Sequence, residues 1–181
     1  MIKETIIGLD NGIVLESHGD CSYVKVFDRY VKGLLWKDGT GEWRLWFMGE
    51  NVKVGGGRED GEMYLCNLVV SRIMEAKDNF SEVLEVKTRE KDFEEYECAG
   101  NSYMLMDTGD GWASVRLCGY NEYFESYKAA YGRMVFDLME KDLEERIGFA
   151  VNTEEVESIV RGKDMIGGLF KFLSEGKNVR M

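Results

Sequence analysis

Proline is missing from all 181 residues, against a usual share of about 5%. Turns preset by proline and stiff polyproline linkers are therefore excluded, and the 21 glycines must supply the sharp reversals. Histidine is nearly absent too, with His18 standing alone. The four cysteines, at 21, 66, 98 and 118, lie 45, 32 and 20 residues apart and make no C-x-x-C pair. Metal sites gather such ligands at short spacing, so no metal and no other cofactor is expected. The thiols read as buried or half-buried side chains in a reducing compartment. No apolar run approaches a membrane span: Met165–Leu173 is far too short. The opening Met-Ile-Lys-Glu-Thr lacks the pattern of a signal peptide. These absences predict a cytoplasmic protein with no membrane partner.

What the chain does carry is acid. Its formal net charge is -11, and two segments hold all of it. Glu75–Glu97 has nine acids against four bases, and Asp137–Glu157 has eight against two. The remaining residues balance at 17 of each. A pI near 4.7 argues against direct binding to nucleic-acid phosphates. Two concentrated acidic segments on a balanced background point instead to a basic partner.

The apolar pattern predicts a single α+β domain over 1–181, sheet-rich through 1–118 and helical through 119–181. Thr5–Leu9 and Ile13–Leu15 flank Asp10-Asn11-Gly12, a tight-turn signal. Tyr23–Phe27 alternates as a half-buried strand should. Gly33–Lys37 and Glu42–Met48 form a hairpin through Asp38-Gly-Thr-Gly41, and Tyr103–Met106 pairs with Trp112–Leu117 through Asp107–Gly111. Between them, Met63–Met74 fits a helix with Leu65, Leu68, Val69 and Ile73 on one face, although Val69-Val70 leaves a strand open. Further strands are expected at Val83–Lys87 and Phe93–Cys98. A long amphipathic helix is predicted over Asn121–Ile147, from Phe124, Tyr127, Tyr131, Met134, Val135, Leu138 and Met139. Asn152 or Thr153 caps a short helix through Val160, and another follows, interrupted at Gly167-Gly168.

Four clusters invite a chemical reading. Asp107-Thr108-Gly109 after an apolar run resembles the catalytic tripeptide of retroviral-type aspartic proteases, where two such aspartates share a proton. Met165-Ile-Gly-Gly168 resembles the element packed behind that site. The helical pattern of 121–147 departs from that strand-built family, and Asp107–Gly111 reads equally as a turn. Ile7-Gly-Leu-Asp-Asn-Gly12 resembles a metal-carboxylate motif of actin-like ATPases and RNase-H-like nucleases, but Ile13-Val14 replaces the expected Thr or Ser. Gly55-Gly-Gly57 lacks both phosphate-loop patterns, and Glu59 and Asp60 would repel a phosphate. His18-Gly-Asp-Cys21 brings imidazole and thiol together, yet such couples converge from distant segments, so a turn histidine is expected. No catalytic residue is therefore assigned.

Trp36, Trp43 and Trp46 share one hairpin with Phe47, and alternation puts Trp43 and Phe47 on one face and Trp46 on the other. Trp46 then reads as an exposed anchor, or as part of a sheet packed on both sides. Glu94, Glu95 and Glu97, with Glu144, Glu145, Glu154, Glu155 and Glu157, have few bases nearby in sequence. If these acids share a face, they imitate the phosphates of a nucleic acid.

The expectation is a non-enzymatic interaction protein that occludes the basic surface of a nuclease or similar nucleic-acid enzyme. Its contacts would be Glu94, Glu95, Glu97, Glu144, Glu145, Glu154, Glu155, Glu157 and Trp46. In size, acidity and lack of catalytic motifs, with its charge in Glu75–Glu97 and Asp137–Glu157, the chain resembles the small anti-defence inhibitors of phages and mobile elements, including anti-CRISPR proteins. That resemblance is one of profile and assigns no binding residue. The competing readings are a small hydrolase at Asp107, or at His18 and Cys21, and a small-molecule sensor built on the tryptophan hairpin.

Overall fold

A computed structural model of the chain describes residues 12–80, 82–117, 119 and 121–161. The expected strand Thr5–Leu9, the Ile7–Gly12 motif apart from Gly12, Cys118, and the helix interrupted at Gly167-Gly168 lie outside the described residues.

The first half folds as six strands and a helix. β1 (Ile13–His18) and β2 (Cys21–Val26) form a hairpin in which His18 faces Cys21 across a two-residue turn. The other edge of β2 is shared by β3 (Arg29–Val31) and β4 (Gly33–Lys37). β4 pairs with β5 (Trp43–Phe47), as the Asp38–Gly41 turn predicts, and β5 with β6 (Glu50–Lys53). α1 (Arg58–Asn79) then buries Leu65, Val69, Ile73 and Ala76 against this sheet, so the valine pair belongs to a helix.

A second sheet follows as an antiparallel meander: β7 (Glu85–Glu90), β8 (Phe93–Cys98), β9 (Asn101–Asp107), β10 (Trp112–Arg116) and β11 (Asn121–Phe124). β11 corrects the expectation of a helix from Asn121. The helix, α2, runs from Tyr127 to Ile147, because the Ser126 hydroxyl accepts from Ala129 N–H and so fixes its first turn. Upstream of that cap, Asn121–Phe124 pairs residue by residue with β10. β12 (Phe149–Ala150) returns to pair with β3 in the first sheet, so the C-terminal part is not wholly helical. Asn152 accepts from Glu155 N–H and caps α3, a helix across 153–161.

α2 holds the two sheets together. Val135, Phe136, Met139, Leu143 and Ile147 join α1 and the first sheet in one core, while Ala130 and Met134 pack on Tyr96, Cys98, Tyr103 and Leu105 of the second. Between those faces sits Arg133, 4% exposed, ion-paired with Asp28 at the β2–β3 turn, Glu122 of β11 and Asp137. Its guanidinium also stacks on Phe27 and Phe136.

The far face of the first sheet is covered as well. Tyr23, Leu34, Trp46 and Ala150 pack with Val156 and Val160 of α3. Trp46 is 6% exposed, so it is a core residue and not an exposed anchor. Alternation along β5 puts it opposite Trp43 and Phe47, and α3 seals the face to which it points. Without proline, the tight turns use left-handed backbone: Met48-Gly49 and Ala99-Gly100 have φ of 51°, 84°, 49° and 77°.

Candidate partner-binding surface

The strand registers separate the second sheet into two faces of opposite character. Tyr96 and Cys98 of β8, Tyr103 and Leu105 of β9, Trp112 of β10 and Phe124 of β11 face α2. The alternate residues face away. One row reads Glu90, Phe93, Met106, Ala113, Tyr123 across the five strands, and the next reads Thr88, Glu95, Met104, Val115, Asn121. Glu85 and Glu97 open a third row that continues with Ser102. Carboxylates thus fill the β7–β8 side, and methionine, valine and tyrosine fill the β9–β11 side. Among the described residues, none from this outer face enters any of the three hydrophobic clusters, and Tyr123 is 72% exposed.

This face carries four carboxylates, Glu85, Glu90, Glu95 and Glu97, and two of them meet one ammonium. Lys87, at a register shift in β7, lies 2.8 Å from Glu85 and 3.2 Å from Glu97. Both carboxylates hold its charge, and its pKa rises above the ordinary lysine value. Glu90 and Glu95 form no salt bridge among the described residues. An open depression of about 410 Å³, lined by Thr108, Asp110, Gly111, Tyr123, Phe124 and Glu125, adjoins the apolar side.

The acidic residues expected to bind a partner therefore divide. Glu95 and Glu97 lie on the open face. Glu94, one residue away, points to the other side, where Tyr127 and Tyr96 donate hydroxyls to Oε2 at 2.6 and 2.5 Å and Arg89 approaches at 3.2 Å. Desolvation first, and then the Glu94 carboxylate, pushes both phenols above the ordinary tyrosine value. Glu94 is a structural acceptor under the sheet and not a surface contact.

The remaining acids lie elsewhere. Glu144 lies 3.8 Å from both Arg29 and Lys32, and Glu140 pairs with Arg29. Glu155 accepts from Val151 N–H at 2.9 Å. Glu157 accepts from the Tyr23 hydroxyl and lies 3.3 Å from Arg161. Glu145 and Glu154 are exposed. The expectation that few bases answer these acids is thus corrected: Lys87 and Arg89 pair across the β7–β8 hairpin and Arg161 one helical turn away, while Arg29 and Lys32 reach α2 from strands that sequence distance conceals. Nor do the acids share one face. β8 turns Glu95 and Glu97 away from α2, whereas α3 lies beyond the first sheet, on the far side of α2.

The catalytic candidates fall at turns. Asp107 is exposed, and its carboxylate accepts from Gly109 N–H at 2.8 Å, closing its own hairpin. His18 and Cys21 do face each other, contrary to the expectation for such close positions. However, the imidazole lies 3.3 Å from Glu16. Burial pushes the Cys21 thiol up, and the neighbouring Glu157 and Asp20 carboxylates add to that rise, which opposes thiolate formation. At Gly55–Gly57 the Asp60 side chain lies against Gly56. Among the described residues no group of three His, Cys, Asp or Glu is arranged to hold a metal, and no helix is long and apolar enough to cross a membrane.

No protein-family model, curated protein or solved structure matches this chain.

Proposed function

We propose that the protein is a non-enzymatic interaction protein whose open second-sheet face binds a basic surface on another protein. The observation that carries this reading is the face itself: Glu85, Glu90, Glu95 and Glu97 beside Phe93, Met104, Met106, Val115 and Tyr123. Acid alone would serve solubility. Acid beside a half-buried apolar strip that ends at the exposed Tyr123 combines the two ingredients of a specific interface, since charge steers the encounter and aromatic burial holds it. The partner class is a nucleic-acid-handling enzyme, because its phosphate-binding groove offers the cations that match the carboxylate side. Occluding such a groove would make the protein an inhibitor in the manner of phage anti-defence proteins. The acids of α2 and α3 are outside this interface.

The test is affinity purification from nuclease-treated bacterial lysate with a salt gradient. The wild type should retain a basic nucleic-acid enzyme that rising salt or added DNA or RNA releases. Glu90→Lys with Glu95→Lys should abolish that retention, and Tyr123→Ala should weaken it, whereas Glu154→Lys should leave it unchanged. Capture that survives the double charge reversal, or is lost with Glu154→Lys, would sink the assignment of this face.

A further inference from the structure

On α1, the helix of the first half, the solvent pole has an arrangement unlike an ordinary surface helix. Its buried line is Leu65, Val69, Ile73 and Ala76. The opposite side presents Asp60, Met63, Asn67, Val70, Met74 and Lys77, at alternating steps of three and four residues. That spacing is the a/d seam of a coiled coil. Three of its four inner positions are large apolar residues left in water: Met63 is 64% exposed, Val70 38% and Met74 40%. The pole of a surface helix normally carries charge, so three apolar residues among four consecutive seam positions point to a partner.

We propose that α1 pairs with α1 of a second copy of this chain, antiparallel, about a twofold axis crossing between Asn67 and Val70. The charges select both the occupant and the direction. In that register Met63 meets Met74 of the partner helix, Asn67 meets Val70, and Asp60 meets Lys77, each contact occurring twice by symmetry. Neither Asp60 nor Lys77 forms a salt bridge among the described residues, so both are available for each other. A parallel pair would instead stack Asp60 on Asp60 and Lys77 on Lys77, and would align the helix dipoles unfavourably. Methionines adapt to each other across the two outer layers, while the central Asn67 fixes register at some cost in affinity. One helix stripe is small beside the roughly 1,200–2,000 Å² of a stable interface, so the dimer is weak and concentration-dependent. This surface shares no residue with the second-sheet face, and the two proposals stand or fall separately.

Sedimentation equilibrium of the full-length protein over a concentration series tests it. The wild type should move from monomer toward dimer mass, and Met63→Glu with Met74→Glu should hold it monomeric with unchanged circular dichroism. Asn67→Leu should tighten the dimer about tenfold, by removing the polar layer. Direction is read from charge. Lys77→Glu and Asp60→Lys should each weaken self-association, and mixing the two variants should restore a heterodimer, since every Asp60–Lys77 layer then pairs opposite charges. A wild type that stays monomeric up to about 1 mM overturns the proposal. So does a dimer indifferent to the Met63 and Met74 changes, or a mixture no tighter than its separate components.

Discussion

The two sheets are similar in construction and opposite in what they leave exposed. The first is covered on both faces, by α1 and α2 on one side and α3 on the other. Among the described residues the second is covered by α2 on one face alone. Chain composition follows that difference. β4 buries Gly33, Leu34 and Leu35 in succession, the reading of a strand with a core on each side. β8 and β9 bury only alternate residues, as half-covered antiparallel strands do. Where both faces are sealed, side chains maintain the fold. Where one is open, acids and apolar groups persist that the fold does not use, and a binding surface is the economical reading of them.

Deleting one aromatic from each sheet breaks or sustains that contrast. Trp46→Ala should cost about 3–5 kcal/mol, since it empties the space between β5 and α3. Tyr123→Ala, on the open face, should stay within about 0.5 kcal/mol. Urea unfolding of both variants measures the pair. Equal losses would show that the outer face of the second sheet is also core.

Arg133 joins the sheets, and its loss should be nearly as costly. Arg133→Met removes the guanidinium shared by Asp28, Glu122 and Asp137, the last with a side chain 6% exposed, and removing one partner of a buried ion pair costs about 3–5 kcal/mol. The deficit should depend on pH. Desolvation already holds Glu122 above the ordinary carboxylate range, with Arg133 pulling it down. A carboxyl raised on folding contributes stability below its unfolded pKa and loses it as pH rises through the folded value. With the guanidinium gone that loss deepens, so the variant should fall further behind the wild type at pH 8 than at pH 5. A pH-independent deficit would show that the stacking on Phe27 and Phe136 matters more than the charge.

How legible this was in the sequence depended on the range of the interaction. The hairpins at Asp38–Gly41 and Asp107–Gly111 were readable, because turn chemistry and alternation are local. β11 was missed: Phe124, Tyr127 and Tyr131 fit a helical spacing, although Ser126, three residues before Ala129, marked the true start. The burial of Trp46 needed α3, more than a hundred residues away. The acids misled for the same reason, since Arg29 and Lys32 answer Glu140 and Glu144 from the far side of the chain. The open face required the registers of five strands, yet alternation alone already separated Glu94 from Glu95 and Glu97.

The smallest expected effect concerns the turns that stand in for proline-built ones. Ala99 joins β8 to β9 in left-handed backbone at φ 49°, a conformation costing a non-glycine residue about 1–2 kcal/mol. Asparagine tolerates it better, and Asn-Gly is the preferred pair for such a hairpin. Ala99→Asn should therefore stabilise the protein by about 0.5–1 kcal/mol, read as a higher urea midpoint at unchanged slope. Because the change touches no side chain of the open face, partner capture should be unaltered. Stabilisation accompanied by weaker capture would mean that the face must loosen at the β8–β9 end to bind, so that the open face is adaptive where the covered sheet is rigid.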